Sequence, residues 1–205
     1  MVKWIGYFFG LLPLVTVQAE AGGRPACEDK LVAHVIVDRA LRSDLFTTHV
    51  SSYPWYVVVD EKTGKWENTF GGAVSKQDRV KIEHTSNCDS THQGTHRMNF
   101  CEATIAKGKL VLFIHGGLPA YSSDLTITVD GGDFTCSFGA EYPSSFRPTG
   151  WRITRKEMKT RGPATVGSRY FAWISVEFEE AGIEDGKVVS RPYKIEGFLK
   201  PWISE

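Results

Sequence analysis

SDLTITVDGGDFTCSF, residues 123–138, alternates apolar with small polar side chains on both sides of a paired glycine. Leu125, Ile127 and Val129 fall on one face and threonines on the other, Asp130-Gly131-Gly132-Asp133 is turn chemistry, and Phe134, Cys136 and Phe138 return on a single face. That is the pattern of an antiparallel hairpin with one buried face.

The same period continues outward from it. Residues 109–115 are almost wholly apolar and predict a central strand covered on both sides. Before them, Cys101, Ala103 and Ile105 share a face ahead of a tight turn at Lys107-Gly108. After the hairpin, 142–150 reads as a loop, 151–158 as a strand and 160–168 as a second loop. Ala172, Ile174, Val176 and Phe178 then alternate in a long strand, Asp185-Gly186 marks a turn, and 193–199 supplies a last strand. Toward the N-terminus, 55–60 and 65–70 flank the turn residues 61–64 as another hairpin, and Val80, Ile82 and His84 share a face of a short strand.

Between 31 and 45 the apolar residues recur at helical spacing, yet Val32, Val35, Ile36 and Val37 are β-branched, so helix and strand compete there and strand or mixed structure is favoured. The whole predicts a mainly β fold: an antiparallel β-sandwich or barrel of about nine strands, with room for one N-terminal helix.

Residues 1–19 have the form of a secretory signal, with Lys3 ahead of an apolar run and Val17-Gln18-Ala19 as a small-residue cleavage pattern. The run contains Gly10 and Pro13 and is shorter than the roughly twenty residues a membrane span needs, so no membrane anchor is expected. Residues 20–205 then form a single mainly β domain that is secreted or periplasmic. With 24 basic and 24 acidic residues in the full chain, there is no electrostatic case for nucleic acid.

Four cysteines in an exported chain favour disulfides. Cys88 with Cys101 closes a short loop worth about 3 kcal/mol in the chain-entropy model, which leaves Cys27 for Cys136. The rival pairing is Cys101 with Cys136 and Cys27 with Cys88.

Chemistry concentrates in HTSNCDSTHQGTHRMNFC, residues 84–101. His84, Cys88, His92 and His96 recur every fourth residue, but Asn, Asp, Ser, Thr and Gly dominate the segment and disfavour a helix. The expectation is a polar loop clasped by Cys88 and Cys101, with histidines facing solvent. A metal reading survives the clasp only as a three-histidine site of His84, His92 and His96 for zinc or copper. His92-Gln93-Gly94-Thr95-His96 resembles the zinc-protease HExxH pattern in its histidines alone, since Gln93 cannot serve as the general base.

His115-Gly116-Gly117 resembles the oxyanion-hole HGG of lipases, but no Gly-x-Ser-x-Gly elbow accompanies it, and the end of a strand explains it better. Phe171 and Trp173 lie opposite Ala172, Ile174 and Val176, where they form either a stacking platform for a ligand or a second core layer. The functional expectation is a binding or interaction module for a protein or carbohydrate, with no catalytic residue assigned. A metal-binding protein is the first alternative, and a hydrolase whose residues converge only in the fold is the second.

Overall fold

The computed structural model describes residues 27–42, 51–54, 56–92, 94–116, 123–140 and 147–205. The expected signal segment lies outside them, as do Leu45, Trp55, Gln93 and Gly117. The strands, in chain order, are β1 Cys27–Glu28, β2 Val35–Val37, β3 Ser51–Ser52, β4 Val57–Val59, β5 Trp66–Asn68, β6 Ile82–Glu83, β7 Cys88–Ser90 and β8 His96–Met98. They continue with β9 Phe100–Ala106, β10 Lys109–His115, β11 Ser123–Asp130, β12 Asp133–Ala140, β13 Arg147–Thr160, β14 Ala172–Glu184, β15 Lys187–Leu199 and β16 Ile203–Ser204.

The 123–138 hairpin forms as expected. β11 and β12 pair Leu125 with Phe138, Ile127 with Cys136 and Val129 with Phe134. Gly131 and Gly132 both take positive φ, 59° and 97°, the requirement of the two-residue turn whose twist suits a hairpin. Lys107-Gly108 and Asp185-Gly186 make the same kind of turn, joining β9 to β10 and β14 to β15.

A seven-stranded sheet has the order β1-β13-β14-β15-β7-β8, with β2 also on β13, and a five-stranded sheet has the order β12-β11-β10-β9-β16. Two further pairs, β3 with β6 and β4 with β5, form small sheets of their own. Neither large sheet closes on itself, so the molecule is not a closed barrel. Their apolar faces share one core: Leu112, Ile114, Leu125, Ile127, Phe134 and Phe138 from the five-stranded sheet, with Trp151, Ile153, Ile174, Val176, Phe178 and Ile195 from the other.

Sixteen strands among the described residues exceed the nine expected because two- and three-residue segments too short to show a period pair at the margins of the large sheets or as small sheets of their own. β13 and β15 begin four and six residues ahead of their apolar alternation, since β14 continues beside them and supplies backbone partners where side chains are polar. No helix occurs among the described residues, and Val35–Val37 lies parallel to β13 instead, consistent with its β-branched side chains. β10 is covered less than its composition suggests: Leu110, Leu112 and Ile114 are buried, but Val111, Phe113 and His115 on the other face are half-exposed.

The sheets are tied at two opposite edges. At one edge, residues 33–35 bridge them. Phe134 N–H donates to Ala33 O and Val35 N–H to Gly132 O, at 3.0 and 2.8 Å, while Val35–Val37 pairs with β13. Beneath this seam Lys156 Nζ, wholly buried, donates to Asp29 Oδ2 at 2.6 Å and to Phe134 O at 2.7 Å. The same Asp29 oxygen accepts the Cys136 N–H at 2.6 Å. An irregularity between Ile153 and Arg155 resets the strand so that Lys156, with Met158 and Thr160, faces inward.

At the other edge the chain itself changes sheets. β8 belongs to the larger sheet and β9 to the smaller, with only Asn99 between them. Residues 200–202 make the second crossing, from β15 to β16. Here β7 packs closely on β15, and Gly197 permits it: a Cβ there would stand 2.5 Å from Cys88 Cα and 2.9 Å from Asn87 O.

Candidate functional site

The segment 84–101, expected as a loop, is a small structured unit. Cys88–Ser90 and His96–Met98 pair antiparallel, and β7 adds this hairpin to β15. Polar residues therefore sit in strand positions, because the neighbouring backbone supplies the hydrogen bonds that composition alone disfavours.

The hairpin and the β3–β6 pair border an open cleft of about 500 Å³ lined by Ser51, Ser52, His84, Asp89, Thr95, Arg97 and Asn99. Every one of these carries a polar side chain. His84 is only 4 % exposed, its ring edge-on to Phe100, and its Nε2 lies 2.8 Å from Ser52 Oγ. On the facing wall Arg97 Nε donates to Asp89 Oδ1 at 2.6 Å and its Nη2 to Oδ2 at 3.3 Å, across directly opposed residues of the hairpin. These two charges balance one another, so the cleft presents hydroxyl, imidazole and amide groups with no strong net charge.

The floor is fixed by backbone. The N–H groups of Thr85 and Ser86 both donate to Asn99 O at 3.0 Å, and Asn99 N–H donates to Gly116 O at 3.2 Å. The β6 wall is held by Glu83, which accepts from Arg169 at 2.6 Å and lies 3.1 Å from Lys200 Nζ. Arg169, followed by burial and by Lys200, governs the Glu83 carboxyl, whose net shift is below the usual carboxylate range.

The three histidines do not gather. His84 engages Ser52, whereas His92 enters the core, 2 % exposed, between the rings of Phe138, Phe178 and Tyr193. His92 Nε2 is 3.2 Å from Glu180 Oε1, which also accepts the Trp151 indole N–H at 3.2 Å. His96 lies on β8 opposite Ser90. No group of three or more His, Cys, Asp or Glu side chains suited to a metal occurs among the described residues. The structure therefore does not bring the three histidines together as one site, and it buries His84 and His92, which were expected to face solvent. Glu180, wholly buried, has no hydrogen-bond partner for Oε2 among the described residues.

The four cysteines are unbonded thiols in the structure, but they fall into neighbourhoods. Burial, then the adjacent Cys88 sulfur, raises Cys101 well above the usual thiol range, and burial pushes Cys88 and Cys136 up to about 12. Cys27, half-buried, sits beside Cys136 and takes a hydrogen bond from the Phe138 backbone; its pKa is raised, burial being the first cause.

Phe171 and Trp173 are half-buried on the outer face of the larger sheet, each covered by a cation: Arg161 over Phe171 at 5.3 Å and Lys159 over Trp173 at 5.0 Å. Both rings remain partly exposed beside these cations. A second depression of about 410 Å³ is lined by Glu28, Thr149, Gly150, Trp151, Arg152, Glu179, Ala181 and Ser190. His115 stacks between Phe100 and Phe113, at centroid distances of 5.7 and 5.1 Å, and lines neither cleft.

Sequence reasoning singled out His84 and missed its partner Ser52, 32 residues upstream. Ser52 lies in a run with no period, and only the β3–β6 pairing brings it to His84. Comparison with family models, curated proteins and solved structures yields no match.

Proposed function

We propose that this protein is an exported β-sandwich binding module and that the cleft between β3–β6 and β7–β8 is its ligand site. The ligand class that fits is a hydroxyl-rich, neutral molecule, an oligosaccharide segment. One observation carries the reading: seven polar side chains and no apolar one line a cleft on a well-packed scaffold, with its two opposite charges already paired. Sugar hydroxyls donate and accept together, and this set of serine, threonine, histidine and asparagine groups offers both. Polar residues borne on short strands at a sheet margin suit recognition.

Titration of the ¹⁵N-labelled protein with malto-, cello- and chito-tetraose tests it. Saturable shifts at Ser52, Thr95, Arg97 and Asn99 with one of them are expected, and Arg97→Ala should weaken that binding about tenfold. Absence of any saturable shift at millimolar sugar would overturn the carbohydrate reading.

A hydrolytic reading has one observation in its favour, the Ser52 Oγ to His84 Nε2 distance of 2.8 Å inside an open cleft. That is the reach over which a histidine takes a serine proton. A fluorophosphonate probe should then label Ser52 in the native protein and not in His84→Ala. An unlabelled native protein removes this reading and leaves binding untouched.

A further inference from the structure

The order of strands in the two large sheets decides which cysteines can ever be joined. Cys101 on β9 and Cys136 on β12 lie in one sheet with β10 and β11 between them. Three interstrand steps amount to roughly 14 Å, against a Cα separation of at most about 7 Å for a disulfide. Cys27 on β1 and Cys88 on β7 are four steps apart in the other sheet, roughly 19 Å. Pairing Cys27 with Cys101, or Cys88 with Cys136, would join opposite edges of the molecule. Only Cys27 with Cys136 and Cys88 with Cys101 remain.

Both surviving pairs link one large sheet to the other, and at different edges. Cys27 lies on β1 against β13, while Cys136 donates its N–H to Asp29, two residues beyond Cys27. At the far edge Cys101 N–H donates to Thr85 Oγ1 at 2.7 Å and the Thr85 hydroxyl returns a bond to Cys101 O at 2.8 Å, three residues before Cys88. Cys88 and Cys101 are both buried in the common core.

We propose that the chain closes two disulfides, Cys27–Cys136 and Cys88–Cys101, one at each edge where the sheets meet, and that of the two reduced pairs only Cys27 with Cys136 is oxidised by an external disulfide while the protein stays folded. The second half follows from access. Cys88, Cys101 and Cys136 are 0, 3 and 5 % exposed, and Cys27 is the one half-exposed sulfur of the four. Exchange needs a thiolate that can approach an external S–S bond in line.

The step balances with a small-molecule disulfide as oxidant. The Cys27 thiolate attacks one sulfur of oxidised glutathione, breaks its S–S bond and expels one glutathione thiolate. The Cys136 thiolate then attacks the Cys27 sulfur of the mixed disulfide and expels the second. Two electrons pass to glutathione, and the two cysteine protons leave on its two thiols. This inference is independent of what the cleft binds.

The full chain lacking the signal segment, reduced and folded, is exposed to oxidised glutathione, alkylated at intervals and mapped as peptides without reduction. A Cys27–Cys136 peptide is expected to form at least about tenfold faster than Cys88–Cys101. Unfolding and refolding in the same buffer should yield both linkages together. A peptide joining any other two cysteines, thiols that stay free after oxidative refolding, or equal rates for the two pairs in the folded protein would overturn the proposal.

Discussion

The two edges that hold the large sheets together are built on different terms. At the N-terminal seam, a buried lysine and a buried aspartate satisfy each other and the backbone around them: Lys156 reaches Asp29 and Phe134 O, and Asp29 also receives Cys136 N–H and, on Oδ1, Leu31 N–H. At the opposite edge the chain crosses between sheets at Asn99, and side-chain polarity is left facing an open cleft. A filled polar contact far from water acts as a lock, whereas an open one is available to a ligand. The difference teaches that polarity alone does not mark a site here. What separates the edges is access to water: Lys156 and Asp29 pair inside the core, whereas the pairs Ser52 with His84 and Asp89 with Arg97 line an open cleft.

Breaking the lock should have the largest effect. Lys156→Met leaves the Asp29 carboxylate buried without its counter-charge, and a loss of about 3–5 kcal/mol in chemical denaturation is expected. A Lys156→Met, Asp29→Leu double variant should lose less than the sum of the two single changes, because neither charge is then stranded.

The cysteines respond to pH in a way that separates the thiol from the disulfide protein. In the reduced chain Cys88 and Cys136 titrate near 9 when unfolded and at about 12 when folded. Their folded pKa is raised, so the stability they contribute is full below pH 9 and is lost as pH climbs toward 12. Melting of the reduced protein should show a loss on the order of a few kcal/mol across that window. The oxidised protein, having no thiols to ionise, should not show this component.

At the cleft edge, Gly197→Ala drives a Cβ into Cys88 and Asn87 backbone. A loss of about 1–3 kcal/mol is expected, together with weaker ligand binding, because β7 carries Asp89 into the cleft. The same glycine-to-alanine change at Gly64, which has no heavy atom within 4 Å of the new Cβ but sits at positive φ, controls for backbone preference.

Glu180→Gln should matter least to stability, within about 1 kcal/mol, because the amide oxygen keeps the acceptor that both Trp151 and His92 face and the carboxylate had one oxygen without a partner among the described residues. Its mark is spectroscopic. Burial first, and then the Glu180 charge, raise the Tyr193 phenol above its usual range, so removing that charge should lower the tyrosinate transition of Tyr193 in an ultraviolet titration.

The hairpins were legible because alternation and turn residues are local. Val57–Val59 with Trp66–Asn68, and β11 with β12, pair as the pattern of 55–70 and 123–138 implies. The contacts that define the edges were not legible, since they join residues far apart in the chain. Lys156 and Asp29 are 127 residues apart, and Lys156 reaches its inward position only through the irregularity ahead of it. His92 illustrates the same limit at the site. Its neighbours in sequence are polar, but its neighbours in space are Phe138, Phe178 and Tyr193, from three other strands. In the stretch 84–101 the histidines were expected to face solvent or a metal, whereas His84 lines the cleft and His92 enters the core.

The most direct test of the division between a locked edge and a recognising one is residue-resolved chemical-shift mapping of the native protein with the three tetrasaccharides. The account predicts shifts confined to Ser51, Ser52, His84, Asp89, Thr95, Arg97 and Asn99, with the Asp29–Lys156 seam silent. Shifts centred on Phe171 and Trp173, on the seam, or on no residue at all would contradict it.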